Sequence, residues 1–365
     1  MSPASIEVRP RTRARSGSSL TALAAFTALT ALLFHRVWQS PAHSWIGVKG
    51  DPQLFIWFVR WGAYAVAHRV DPFVTHHLNY PVGVNLMWNT AMPLLALVLS
   101  PVTLSLGPTV AYNLAVTAGV ALSGWCAYLM IGRYVHSSMA AFVGALVYAF
   151  SPAVLVEAYG HLHFVVVFVP PLMFLVLDEL LVRQQRPFLR TGAVLGILVA
   201  TQVLLSEELA TSEALAAGLA AVILAALFPG QVRARLPHAL RALAVTAAVA
   251  FLLLAWPLSV EFFGPQRITG GPLQPTDVYV SDALGFVVPT AAQQLAPASV
   301  RHSVSDRFTG NGAEWTAYVG IPLLAVSAIV AVGMWRRPMV RVVALLAGVL
   351  AVLSLGPHLH VRGRV

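Results

Sequence analysis

Charged side chains are scarce in this chain. Asp, Glu, Lys and Arg make up only 10% of its 365 residues, hydrophobic residues make up 58%, and the mean hydropathy is +0.75. Those values exclude an ordinary soluble domain and indicate an all-α polytopic membrane protein. Lysine is almost missing, with Lys49 alone among the arginines. An isoelectric point of about 10.3 invites a nucleic-acid reading. The arginines instead fall in short clusters between apolar runs, so they read as topology signals and no nucleic-acid partner is expected. The single cysteine, Cys126, excludes an intramolecular disulfide and a cysteine-based zinc site. No phosphate-binding Gly-rich loop is present, which argues against nucleotide hydrolysis, and no fixed-period repeat is visible.

What the chain has in quantity is apolar length. The run from about Leu20 to Trp38 follows Arg9, Arg11, Arg13 and Arg15. At roughly 20 residues it is too long for a signal-peptide core, so it reads as an uncleaved first span behind a cytoplasmic basic tail, 1–18. Further runs at 109–132, 138–156, 161–182, 190–206, 209–228, 241–262, 316–335 and 340–356 bring the expectation to about nine transmembrane helices.

Segment 91–106, AMPLLALVLSPVTLSL, is assigned by charge. Arg133, the Arg183–Arg190 cluster, the Arg233–Arg241 cluster and the Arg336–Arg341 cluster share the cytoplasmic side only if this segment does not cross completely. The resulting layout in the plasma (inner) membrane is a transmembrane module over 19–262 with an external loop at 39–108. A second external loop at 263–315 and a C-terminal transmembrane hairpin at 316–365 complete it. Residues 190–228 are about twice the length one crossing needs, so they fold back. The turn belongs at Ser206-Glu207-Glu208, because two carboxylates at mid-bilayer are costly.

The stretch VKGDPQLFIWFVRW opens the first loop with one acid, Asp51. Asp before Pro52 is the pattern of an N-cap followed by proline at the first helical position. In a helix over 52–68, Leu54, Trp57, Phe58, Trp61 and Ala65 share one face while Arg60 points elsewhere, as in a helix lying on a membrane surface. Asp51 then sits at the water–lipid boundary, where a lipid-linked substrate presents its head group. Capping a helix and accepting a proton are compatible roles.

A first span, a long loop opening with an acid ahead of a juxtamembrane helix, and then many spans resemble the GT-C superfamily of integral-membrane glycosyltransferases. Within it, GDPQLFIWFVRW, the later DPF with LNYPVGVNLMWNT, and the AFSPA turn are similar to a group of uncharacterised bacterial members, over most of residues 20–230. The resemblance implies a polyprenyl-phosphate sugar donor, a cell-envelope glycan, lipid or protein acceptor, an extracytoplasmic active site embedded among membrane lipids, and Asp51 as catalytic base. Many such enzymes carry two adjacent acids; here the pair is Gly50-Asp51, so only Asp51 carries over. Members also have more spans, and the chain stops at Arg364-Val365 soon after one, so a C-terminal truncation is expected.

The chemistry also asks for positive charge on the leaving phosphate. Arg60 and Arg69 are the nearest cations in sequence, and lipid pairing is their alternative role. The sequence names no metal, although a divalent cation is compatible with the reaction. Glu157, His161 and His163, in EAYGHLH, place an acid and an imidazole at i, i+4 and two imidazoles in a His-x-His pair. Their other reading is an interfacial turn with hydrated rings. Glu207 and Glu208 read either as first-turn acids behind a Ser206 cap or as acceptor contacts, and Glu314-Trp315 joins a carboxylate to an aromatic ring suited to sugar. Two other classes stay open. A transporter or lipid flippase would show broken helices at matching places in two halves, and none is detected. A non-catalytic membrane assembly partner would need neither Asp51 nor a lipid groove.

Overall fold

The computed structural model describes residues 16–271, 274–312 and 314–365. The arginines of the expected basic tail, Arg9 to Arg15, lie outside the described residues. The chain is mostly helical. The helices are α1 (Ser16–Leu33), α2 (His35–Trp38), α3 (Asp51–His68), α4 (Pro93–Val98), α5 (Ser100–Leu106), α6 (Pro108–Ile131), α7 (Ser138–Ala149), α8 (Pro152–Glu157) and α9 (Leu162–Val165). They continue as α10 (Val169–Asp178), α11 (Phe188–Leu205), α12 (Glu207–Leu227), α13 (Pro229–Phe263), α14 (Ala298–Ser303), α15 (Ile321–Gly333) and α16 (Pro338–Ser354). Two short antiparallel strands, β1 (Val74–Thr75) and β2 (Val84–Asn85), pair with Val74 opposite Asn85 and Thr75 opposite Val84.

Among the described residues, α6, α11, α12 and α13 are long and apolar enough to cross a membrane. Shorter apolar helices occupy Ser18–Leu33, Ser138–Ala149, Ile321–Gly333 and Pro338–Ser354. The chain is thus a helical, membrane-embedded protein, but not every expected span is one continuous helix. Stretch 138–156 breaks between α7 and α8, where extended Ser151 precedes Pro152 and its side chain accepts from the Val154 N–H. Stretch 161–182 divides into α9, α10 and a π-turn at Glu179–Arg183. At the first break Pro152, without an N–H, starts α8 and forces the preceding backbone out of helical geometry, whereas at the second the chain leaves helical geometry at Val166, φ −82° and ψ 62°, ahead of Pro170 and Pro171 in the first turn of α10. Segment 91–106 forms α4 and α5, of six and seven residues, far below bilayer length. The helix breaks at Ser206, where a turn was expected: Ser206 is extended, and its Oγ accepts from the Leu209 N–H at 3.3 Å.

Two compact units divide the described chain. One comprises residues 16–213 with Arg233–Thr269, the other Ala214–Val232 with Gly270–Val365. In the first, close helix approach depends on residues without bulk. Gly124 of α6 lies under the fully buried Phe26 of α1, where a Cβ would come within 2.5 Å of the ring. Gly192 and Gly196 of α11 face α13, and Thr246 Oγ1 donates to the Gly192 carbonyl at 3.1 Å. Small residues at i, i+4 are how membrane helices gain contact where lipid supplies no hydrophobic drive. The core centres on α6, with Tyr112, Val116 and Val120 all fully buried.

Helix α3 packs against α4, α5 and α6 and is more enclosed than a surface helix. Phe55, Phe58, Val59, Trp61, Gly62, Ala63 and Ala65 are buried, whereas Leu54 is exposed, so the buried face is shifted from the one expected. Gly62 is the cause, because its bare backbone lets α4 settle against that side at Ala96. In the second unit, Asp282 accepts from the N–H of Leu284 at 2.9 Å and of Gly363 at 2.8 Å, joining the loop after residue 270 to the segment beyond α16.

Candidate functional site

The approach to α3 is built by buried polar groups. Asn113 of α6 is fully buried; its Oδ1 accepts from the Ile46 N–H at 3.0 Å, and its Nδ2 donates to the carbonyls of Pro41 and Ser44 at 3.0 and 2.8 Å. Tyr112 Oη donates to the Ile46 carbonyl at 3.0 Å. The next residue, Gly47, has φ +121° and lies against the Tyr159 carbonyl, a position where a Cβ would collide at 2.7 Å. The Val48 N–H then donates to that same Tyr159 carbonyl at 3.0 Å. These contacts lay the start of α3 over the turn that follows α8.

Asp51 does not cap α3. Gly50 is the N-cap with φ +124°, Asp51 is the first helical residue, and no side-chain oxygen receives a first-turn N–H; the Gln53 side chain instead accepts from the Gly50 N–H at 3.3 Å. Glycine takes the cap position because the chain enters with a positive φ that an aspartate would hold only with strain. The carboxylate so released faces His161, with Oδ2 3.2 Å from Nε2. On the other side of the ring, Nδ1 lies 2.6 Å from Oε2 of Glu157. The Asp51 side chain is 60% exposed, His161 18% and Glu157 10%, so the series runs from solvent to a buried carboxylate.

An imidazole with a carboxylate oxygen at each nitrogen needs two protons on the ring or one on a carboxyl group. Glu157 fixes the ring orientation, and Asp51 is the outer, accessible end. Beside this row, His163 Nε2 lies 3.1 Å from Oε2 of Glu208, and the His161 and His163 rings meet edge to face at 5.8 Å. His163 is also packed against Phe55 of α3 and Phe164. The rings are therefore held by glutamates and aromatics; the reading of hydrated imidazoles on an interfacial turn is corrected. The helix ends at Glu157, before Gly160, yet the 157–161 turn keeps the i, i+4 pairing, with the His161 N–H on the Glu157 carbonyl at 2.7 Å.

Glu208 leads into a cavity of about 160 Å³. Glu207, Glu208 and Glu261 supply its carboxylates, and Trp88, Asn89 and Thr90 part of its wall. Glu207 and Glu261 face one another within hydrogen-bonding reach, an arrangement that needs a shared proton or a cation. Trp88 is steered by its Nε1–H, which donates to the Glu261 carbonyl at 2.7 Å. Asn85 donates to the carbonyls of Val260 and Pro265 at 2.8 and 3.0 Å and accepts from the Met87 N–H at 3.1 Å, so the loop after β2 is tied to the end of α13. Sequence reasoning missed Glu261 and Trp88. Glu261 ends a long apolar helix like a boundary acid, and only the packing of α13 brings it to Glu207.

The remaining sequence candidates are elsewhere. Arg60 is exposed on α3, about 14 Å along the helix from Asp51, and Arg69 caps the end of that helix about 27 Å away, since each residue adds 1.5 Å. No ion pair or hydrogen bond joins either to the cluster among the described residues. Glu314 lies in the second unit, lining a small cavity of about 20 Å³ with Asp282 and Trp315. Among the described residues no group of three His, Cys, Asp or Glu is arranged to hold a metal ion.

Fold and site together define a polytopic helical membrane protein with a carboxylate–imidazole row leading from solvent into its helix bundle. The chain belongs to the family described as Domain of unknown function (DUF6311), whose model matches residues 20–365. No curated protein and no solved structure matches it.

Proposed function

We propose that the chain is a GT-C-type glycosyltransferase of the plasma membrane that moves a sugar from a polyprenyl-phosphate donor to an extracytoplasmic acceptor, with Asp51 as base. The observation that carries this reading is the Asp51–His161–Glu157 row: an exposed carboxylate, freed from helix capping, rests on an imidazole oriented by a buried glutamate. In the step it would serve, the acceptor oxygen bonds to the sugar carbon as the carbon–oxygen bond to the donor phosphate breaks. The hydroxyl proton passes to Asp51, and the polyprenyl phosphate leaves with its electron pair. His161 positions the Asp51 carboxylate for that transfer, and Glu157 holds His161. The neighbouring acidic cavity, with Trp88 in its wall, supplies acceptors and an aromatic surface suited to a polyhydroxylated substrate.

The N-terminus in this reading is cytoplasmic and the loops 39–108 and 264–315 are external, because the arginine clusters then share one side. The test is transfer from polyprenyl-phosphate sugars to a cell-envelope acceptor fraction in membranes containing Asp51→Asn or Asp51→Ala. Asparagine keeps an oxygen for His161, and neither change removes a cap, so both variants should fold within about 0.5 kcal/mol of the parent. A base contributes about a hundredfold to ten-thousandfold in rate, and both variants should lose that much. Near-normal turnover by Asp51→Asn would sink the assignment and favour a transporter or a non-catalytic membrane partner.

A further inference from the structure

A second cavity, of about 260 Å³, lies in the first unit between α10 and the N-terminal half of α11, with Arg133, just beyond α6, at its edge. Its walls are hydrocarbon: Leu172, Leu175 and Val176 from α10, and Val194 and Leu198 from α11. Its lining also carries Arg133, Arg186 and Arg190. The one acid, Glu179, is already engaged, its Oε1 accepting the backbone N–H groups of Gln185 and Arg186 at 2.5 and 2.8 Å and its Oε2 facing Arg133 at 3.8 Å. Two observations show polar capacity left over. Thr191, only 3% exposed, lines the cavity with a hydroxyl that has no hydrogen-bond partner, and Arg133 Nε is likewise buried and unpartnered. Buried donors of this kind are costly unless a ligand completes them.

From this juxtaposition we propose that the cavity binds an anionic glycerophospholipid, its phosphate among Arg133, Arg186 and Arg190 and an acyl chain along the Leu172–Leu198 wall. Charge complementarity selects an anion, because three guanidinium groups oppose one carboxylate, whose Oε1 is taken by backbone donors and whose Oε2 offsets Arg133 alone. The apolar wall selects a lipid over a soluble phosphate, which would leave it wet. The position fits as well: the site sits at the ends of membrane helices beside an arginine cluster, and basic pockets between such helices are where phospholipid head groups lodge. Guanidinium matches phosphate through paired, directional donors that an ammonium lacks. The proposal is independent of the transferase reading and needs only a membrane-embedded chain.

The test is thermal unfolding of the purified protein in neutral detergent, titrated with phosphatidylglycerol. A saturable rise in the midpoint is expected, with no rise from equal phosphatidylcholine. Arg186 and Arg190 are exposed, so Arg186→Gln/Arg190→Gln should fold normally. It should need about 25-fold more phosphatidylglycerol for half-saturation, about fivefold per arginine. Val194→Trp, which fills the apolar stretch, should abolish the rise while leaving the arginines in place. Equal stabilisation by phosphatidylcholine, or an unchanged titration in both variants, overturns the site. The same rise from inorganic phosphate would overturn a lipid ligand, and a rise from polyprenyl phosphate but not phosphatidylglycerol would overturn the glycerolipid.

Discussion

Helix α3 carries Asp51 into position, and its seat depends on Gly62. A Cβ at residue 62 would stand 2.6 Å from the Ala96 Cβ and 2.9 Å from the Ala96 carbonyl carbon. Both distances are about 1 Å inside normal carbon–carbon contact, and backbone atoms of α4 cannot rotate away. Gly144 of α7 is the matched control, because a Cβ there meets first the Cδ1 of Ile131, the end of a flexible side chain, at 2.9 Å. Both glycines are interior to helices, so alanine brings each about the same gain, near 1 kcal/mol, from propensity. Gly144→Ala should therefore stabilise by about that amount.

Gly62→Ala gains the same but incurs overpacking of about 1–3 kcal/mol, and so falls below Gly144→Ala by that difference. At roughly 2–4 °C per kcal/mol the two midpoints should differ by about 2–12 °C in thermal unfolding. The stacked Trp57 and Trp61 rings, with centroids 5.9 Å apart, give an optical signal for α3 itself. Because a displacement near 1 Å at a reacting group costs about a hundredfold, Gly62→Val should also depress any turnover that depends on Asp51. Equal midpoints for the two alanine variants would refute the claim that the α3–α4 contact is rigid.

Other expectations follow from single contacts. Asn113→Ala removes three hydrogen bonds from a fully buried site and strands the Ile46 N–H, so it should cost about 3 kcal/mol, read as a lowered unfolding midpoint. Glu207→Gln replaces a carboxyl facing the buried Glu261 with an amide that donates to it; stability should rise by about 0.5–1.5 kcal/mol, and a fall would mean the acid pair is itself stabilising. Tyr80→Cys places a thiol where the side chain is 85% exposed, while native Cys126 is 4% exposed. An impermeant thiol reagent should label only residue 80 in intact cells, and labelling that waits for lysis would reverse the proposed orientation.

Composition alone determined the solvent in which this chain folds, because apolar runs of bilayer length with so few charges have no soluble solution. The helix break at Ser206 was equally legible, since adjacent carboxylates cannot stay in hydrocarbon, and the helix after Gly50 was announced by Asp51-Pro52. Local rules went astray where a neighbour far along the chain decided. Whether Asp51 capped its helix or paired with His161 depended on Gly47, Val48 and the Tyr159 carbonyl, a contact spanning more than a hundred residues. The histidines of EAYGHLH were visible as a pair, but their burial came from Phe55 and Glu208, one on either side in sequence. Glu261 gave no signal at all until α13 was packed. Periodicity reports which face of a helix avoids water; it carries no information on which other helix covers that face. Only close approach, set here by Gly62, Gly192 and Gly196, brings the carboxylates and imidazoles of distant segments into one cluster.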